Sequence, residues 1–92
     1  MNALTEMRET HQKLRDMAAH HARLGRRHEV NANKAKQQHF QVLYRSEAVG
    51  HFAQYRAFRW ASSSLFHAMK RAEMYENKTQ VVNTLRGFGV PN

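Results

Sequence analysis

Gly25-Arg26-Arg27-His28-Glu29-Val30-Asn31-Ala32-Asn33 is the stretch that decides the fold. By composition it is a linker. Gly25 suits the position just past a helix ending at Leu24, and Asn31 or Asn33 suits the N-cap of a helix that follows. By spacing it is the middle of one long helix, because Gly25, His28 and Ala32 belong to a 3.5-residue ladder. That ladder runs Leu4, Met7, His11, Leu14, Ala18, His21, Gly25, His28, Ala32, Ala35, His39, Val42. Its rungs are mostly His and Ala, a weak seam, so the break at 25–33 is the preferred reading.

Outward from this stretch the chain reads as helix. The glycines stand at 25, 50, 87 and 89 and the single proline at 91, while Ala, Gln, Glu, Arg, Lys, Met and Leu fill the space between. No run of β-branched residues alternates with period two. A first helix is expected from Asn2 or Ala3 to Leu24, with Asn2 as N-cap, Glu6 and Glu9 near its positive end and Arg23 in its last turn. Leu4, Met7, Leu14, Met17 and Leu24 form a thin apolar stripe on it, the expected seam against a partner helix or a second copy.

A long central helix is expected from about Asn33 to Ala61, with Phe40, Tyr44, Ala48, Phe52, Tyr55 and Phe58 on one face. Gly50 inside it suggests a kink or a close crossing. Ser62-Ser63-Ser64 offers N-cap chemistry for a third helix, on which Leu65, Ala68, Met69, Ala72, Tyr75, Val82 and Leu85 share a face. Asn77-Lys78-Thr79 is a point of interruption, and Gly87 and Gly89 before Pro91 end the helix. The expectation is an all-α chain in a single small domain. It comprises a thin-striped N-terminal helix over 1–24, a linker over 25–33 and a core-forming helical hairpin over 34–92. All aromatic residues (five Phe, three Tyr, one Trp) lie from Phe40 onward, which places the expected core in that hairpin.

With no cysteine, the sequence excludes a disulfide framework, a thiolate metal site and a cysteine nucleophile. The start, Met1-Asn2-Ala3-Leu4-Thr5-Glu6, lacks the basic and apolar runs of a signal peptide. The longest uncharged run, Trp60 to Met69, is too short and polar to span a bilayer. These features predict an intracellular, cytoplasmic protein with no membrane association.

Charge is the dominant signal. Fifteen Lys and Arg stand against seven Asp and Glu, a net +8, and Arg outnumbers Lys. Guanidinium suits bidentate contact with phosphate or carboxylate, so nucleic acid or an acidic protein surface is the expected partner. The charge peaks centrally: residues 25–60 carry seven bases against Glu29 and Glu47. At 100° per residue, Lys34, Gln41, Arg45, Arg56 and Arg59 fall within roughly 60° of one another on a single helix. With Arg26, Arg27 and Trp60 at its ends, this ridge is the expected binding surface; the aromatic face beside it reads as core rather than a base-stacking platform.

Seven histidines, at 11, 20, 21, 28, 39, 51 and 67, include no pair three to five residues apart, so no metal site is expected. Only His21 and His28 share a face closely. Their protonation below about pH 6.5 would add to the positive charge and tighten a polyanion contact.

No catalytic constellation is present. Asp16 is the lone aspartate, the serine run lacks a glycine-flanked elbow, and no glycine-rich loop exists to cradle phosphate. No enzymatic activity and no cofactor are expected, and no helix-turn-helix frame is evident. The leading expectation is a nucleic-acid-associated binding protein contacting phosphates through its central helix. The alternatives are a protein-docking adaptor or inhibitor of the phage or mobile-element type, which would act in a host cytoplasm, and a structural subunit of a virion or nucleoprotein assembly.

Overall fold

The computed structural model describes residues 2–87, with the side chains of 80–87 excepted. The described chain is all-α and consists of two helices, α1 over Ala3–Lys34 and α2 over Gln38–Gly87, folded back on each other as an antiparallel hairpin. The expected three-helix arrangement is therefore replaced by two. The linker placed at 25–33 is the C-terminal third of α1, and Ser62-Ser63-Ser64 starts no third helix because α2 runs through it and through Asn77-Lys78-Thr79. The expected start of the hairpin at Asn33 or Lys34 falls inside the last turn of α1.

The 3.5-residue ladder is what keeps α1 whole. Its rungs from Leu4 to Ala35 are all buried or half-buried, whereas the residues between them are mostly exposed. The same spacing recurs on α2 in Gln41, Tyr44, Ala48, His51, Tyr55, Phe58, Ser62, Leu65, Met69 and Ala72, again all buried or half-buried. Two helices carrying one heptad spacing pack seam to seam and supercoil left-handedly. A break at Gly25 would divide one side of that seam. The thin stripe is thus completed by the chain's own second helix: Leu4, Met7 and Leu14 lie in the seam and Leu24 beside it, while Met17 faces solvent.

Small residues fix how closely the helices lie. Ala18, Gly25 and Ala32, seven apart on α1, are buried, as are Ala48 and Ser62 on α2. At Gly25 the contact is tight enough that a Cβ would come within 2.8 Å of the Phe52 ring. Gly50 is the opposite case: it faces open solvent, with nothing within 4 Å of where its Cβ would be, so no close crossing explains it.

The ends follow from hydrogen bonding. Asn2 caps α1 with its side-chain oxygen accepting from Thr5 N–H at 2.8 Å, as its position in the sequence predicts. At the other end Ala35 leaves the helical region (φ −67°, ψ 132°) and donates its N–H to the Asn31 carbonyl. Gln41 then closes the turn, its side-chain amide donating to the Ala35 carbonyl at 2.8 Å.

The molecule measures 78 × 19 × 13 Å, about the length of a 50-residue helix at 1.5 Å per residue. The Arg8–Glu73 ion pair lies near the start of α1, so α2 continues past its partner. Met74 and Tyr75, where α2 leaves α1 behind, are 70% and 73% exposed. No helix among the described residues is long and apolar enough to cross a membrane.

Candidate basic interface and the ring column behind it

The hairpin splits the expected ridge. Lys34 belongs to the last turn of α1 and lines a cleft of about 540 Å³ at the turn with Lys36 and Phe40, away from the other bases. Arg45 and Arg59 stay together, two heptads apart on α2 in one line along the edge of the seam. Arg56 occupies the adjacent shoulder and is exposed. Arg26 and Arg27 are exposed on α1. Trp60 points outward from α2, 74% exposed, together with Val49 at 66%. Gln41, counted in the ridge, is instead the turn-closing seam residue described above.

Along that edge α2 presents Arg45, Phe52, Arg59, Phe66 and Glu73, each seven residues from the next. The matching line on α1 is Arg8, Arg15, Ala22 and Glu29. At one end Arg8 and Lys70 both reach Glu73, at 3.4 and 3.5 Å. At the other, Glu29 and Arg45 share a cleft of about 340 Å³ without forming an ion pair. In the middle, Arg15 and Arg59 line a cleft of about 200 Å³ with Tyr55 and Ser62, and none of its lining residues is acidic. Arg59 is held by a 2.9 Å hydrogen bond donated to the Tyr55 hydroxyl, with its guanidinium 5.8 Å from the ring centroid. Arg15 was not singled out by the sequence, because only the hairpin register places it opposite Arg59.

Behind this edge the seam holds a column of rings. Phe58 lies near-parallel to His21 (5.6 Å between centroids, 10° between planes), His21 meets His51 edge to edge (5.2 Å, 29°), and His28 lies near-parallel to His51 (5.3 Å, 6°) and to Tyr44 (6.2 Å, 22°). The rings alternate between helices because 44, 51 and 58 on α2 and 21 and 28 on α1 are seven apart. His21 and His51 also share a hydrogen bond between their Nδ1 atoms, 2.9 Å apart. His28 Nδ1 is buried without a hydrogen bond, 3.2 Å from Glu47 Oε2. Burial in the seam, then the neighbouring His51 and His20, hold the His21 pKa below the ordinary histidine value.

Among the described residues no three His, Asp or Glu side chains are arranged to hold a metal ion. The sequence showed only the His21–His28 half of the column. Its other half was available in the seven-residue recurrence of Tyr44, His51 and Phe58.

The fold and this edge define a two-helix antiparallel hairpin with a heptad seam and one basic side. No family model matches the chain, and no curated protein or solved structure is similar to it.

Proposed function

We propose that this hairpin is a non-enzymatic binding protein that holds the phosphate backbone of a nucleic acid along its Arg45–Arg59 edge. The observation that carries the reading is the Arg15–Arg59 cleft. Two arginines from different helices line it, with no acid among the lining residues. Keeping such charges together costs free energy that an anion relieves, and bidentate guanidinium contacts are the usual means of gripping phosphate. Arg56 on the shoulder and the adjacent phenylalanines extend the surface without adding negative charge. Contacts of this kind are to the backbone, so weak sequence preference is expected.

The salt dependence of binding tests this. Affinity for single- and double-stranded DNA and RNA should fall steeply between 50 and 200 mM salt, and Arg15→Ala and Arg59→Ala should each flatten the log–log slope by about one. Undetectable binding to every nucleic acid at low salt overturns the reading.

A second reading, a protein-docking adaptor or assembly subunit, is favoured by one observation: the outward face of α2 leaves Val42, Val49 and Trp60 largely exposed. The docking surface would then be this face of α2, since the α1 stripe is occupied by the chain itself. Trp60→Asp should abolish capture of a protein partner without altering helix content.

A further inference from the structure

We propose that the His21–His51 contact makes the hairpin a proton-sensitive clasp, closed near neutral pH and opened in mildly acidic solution.

The argument is one of counting protons. The two Nδ1 atoms are 2.9 Å apart, a distance that fits one hydrogen between them. In the neutral pair one ring donates and the other accepts. One added proton can sit on the far nitrogen of the donor, leaving a single hydrogen in the gap. A second cannot: with both rings imidazolium, each Nδ1 carries a hydrogen and two N–H groups point at each other. The closed hairpin therefore takes up at most one proton at this pair, whereas the unfolded chain takes two.

The surroundings offer the second charge no help. On α1 the titratable neighbours are His20, edge-on to His21 at 5.4 Å, and His28, near-parallel to His51 at 5.3 Å. On α2 they are Tyr44, near-parallel to His28, and Glu47. Among the described residues Glu47 is the only acid within 4 Å of a column histidine, and it lies against His28 rather than the pair. The lowered pKa of His21 has the same sense. Phe58 sets an apolar ring beside His21, 5.6 Å between centroids.

The consequence has a definite sign. Below the ordinary histidine pKa the folded chain binds fewer protons than the unfolded one, so stability is complete above about pH 6.5 and is lost as pH falls. One missing proton lowers the folding constant about tenfold per pH unit below that point. Carboxylates titrate lower, which leaves pH 5 to 7 as a window in which histidine dominates.

The experiment is thermal unfolding of the full chain, followed by circular dichroism from pH 8 to pH 5. The wild type should lose stability with a slope of about one proton below pH 6.5. The double variant His21→Phe/His51→Phe, which keeps aromatic rings at both positions, should lose most of that slope. Equal losses in wild type and double variant overturn the proposal. Should the double variant fail to fold, the NMR titration of the wild-type imidazoles decides. Two complete titrations near pH 6.5 with helix content unchanged overturn the clasp, whereas a second step that coincides with loss of helix supports it.

Discussion

Two stretches side by side in the chain exchange the roles their compositions suggest. Gly25–Asn33, with a glycine and two asparagines, is continuous helix, while Ala35-Lys36-Gln37, built from three good helix formers, is the reversal. The difference is where each stands relative to the seam. Gly25, His28 and Ala32 face α2, and Ala32, at 1% exposed, is among the most buried residues of the chain. Any other backbone path there would move the His28 ring out of the column and lift the small residues that admit α2. After Ala35 the ladder would continue at His39 and Val42, but the α2 seam begins at Gln41 and Tyr44. That two-residue change of phase is absorbed in the turn, where Gln41 bonds back to the Ala35 carbonyl. Packing across helices has overridden a propensity difference of at most about 1 kcal/mol per residue.

Proline breaks this comparison most directly. In the interior of α1, Val30→Pro removes a helical hydrogen bond and clashes with the preceding turn, an expected loss of about 3 kcal/mol or more. For a seam this thin that is enough to unfold the hairpin. Placed at Lys36, the same residue follows Ala35 at ψ 132°, the extended backbone that proline requires of its predecessor. Lys36→Pro should therefore leave stability within about 1 kcal/mol of wild type. Urea denaturation of both variants compares the sites directly; equal losses would mean that the turn is not where the structure puts it.

The legible and illegible parts of the sequence divide along the same line. Helical content, the Asn2 cap and the α1 ladder are local properties, and each can be read from composition and spacing. The fusion of the first two helices could not be decided from α1 alone, because a seam of His and Ala is weak until its partner is known. His28 looks like a polar interruption in a stripe, yet between His51 and Tyr44 it is one ring of a column. Arg15 reads as an ordinary surface base until the register sets it across a cleft from Arg59. The aromatic face of α2 was read as the core of a C-terminal hairpin. Its Tyr44, Tyr55 and Phe58 instead turn toward α1, Phe52 covers Gly25, and Phe40 is left 42% exposed.

The two interior glycines sharpen the contrast at smaller scale. Gly25→Leu places a branched side chain where even a Cβ meets the Phe52 ring at 2.8 Å. Overpacking of this kind should cost about 1–3 kcal/mol. Gly50→Ala adds a methyl group to open solvent and removes a glycine from a helix interior, so it should raise stability by about 1 kcal/mol. Thermal melts of the two variants should move in opposite directions.

The smallest effect is decided by its sign. Asn33 has the side chain of an N-cap, and a cap replaced by alanine costs about 1 kcal/mol. In the structure it lies inside the last turn of α1, exposed, with the helix continuing to Lys34 and its cap at Ala35. An exposed asparagine within a helix is a poorer helix former than alanine by about half a kcal/mol, since its side chain competes for backbone hydrogen bonds. Asn33→Ala should therefore raise the melting temperature by a few degrees at most. A fall would mean that a helix begins at this residue, restoring the linker reading of Gly25–Asn33 and separating the two histidines that α1 contributes to the column.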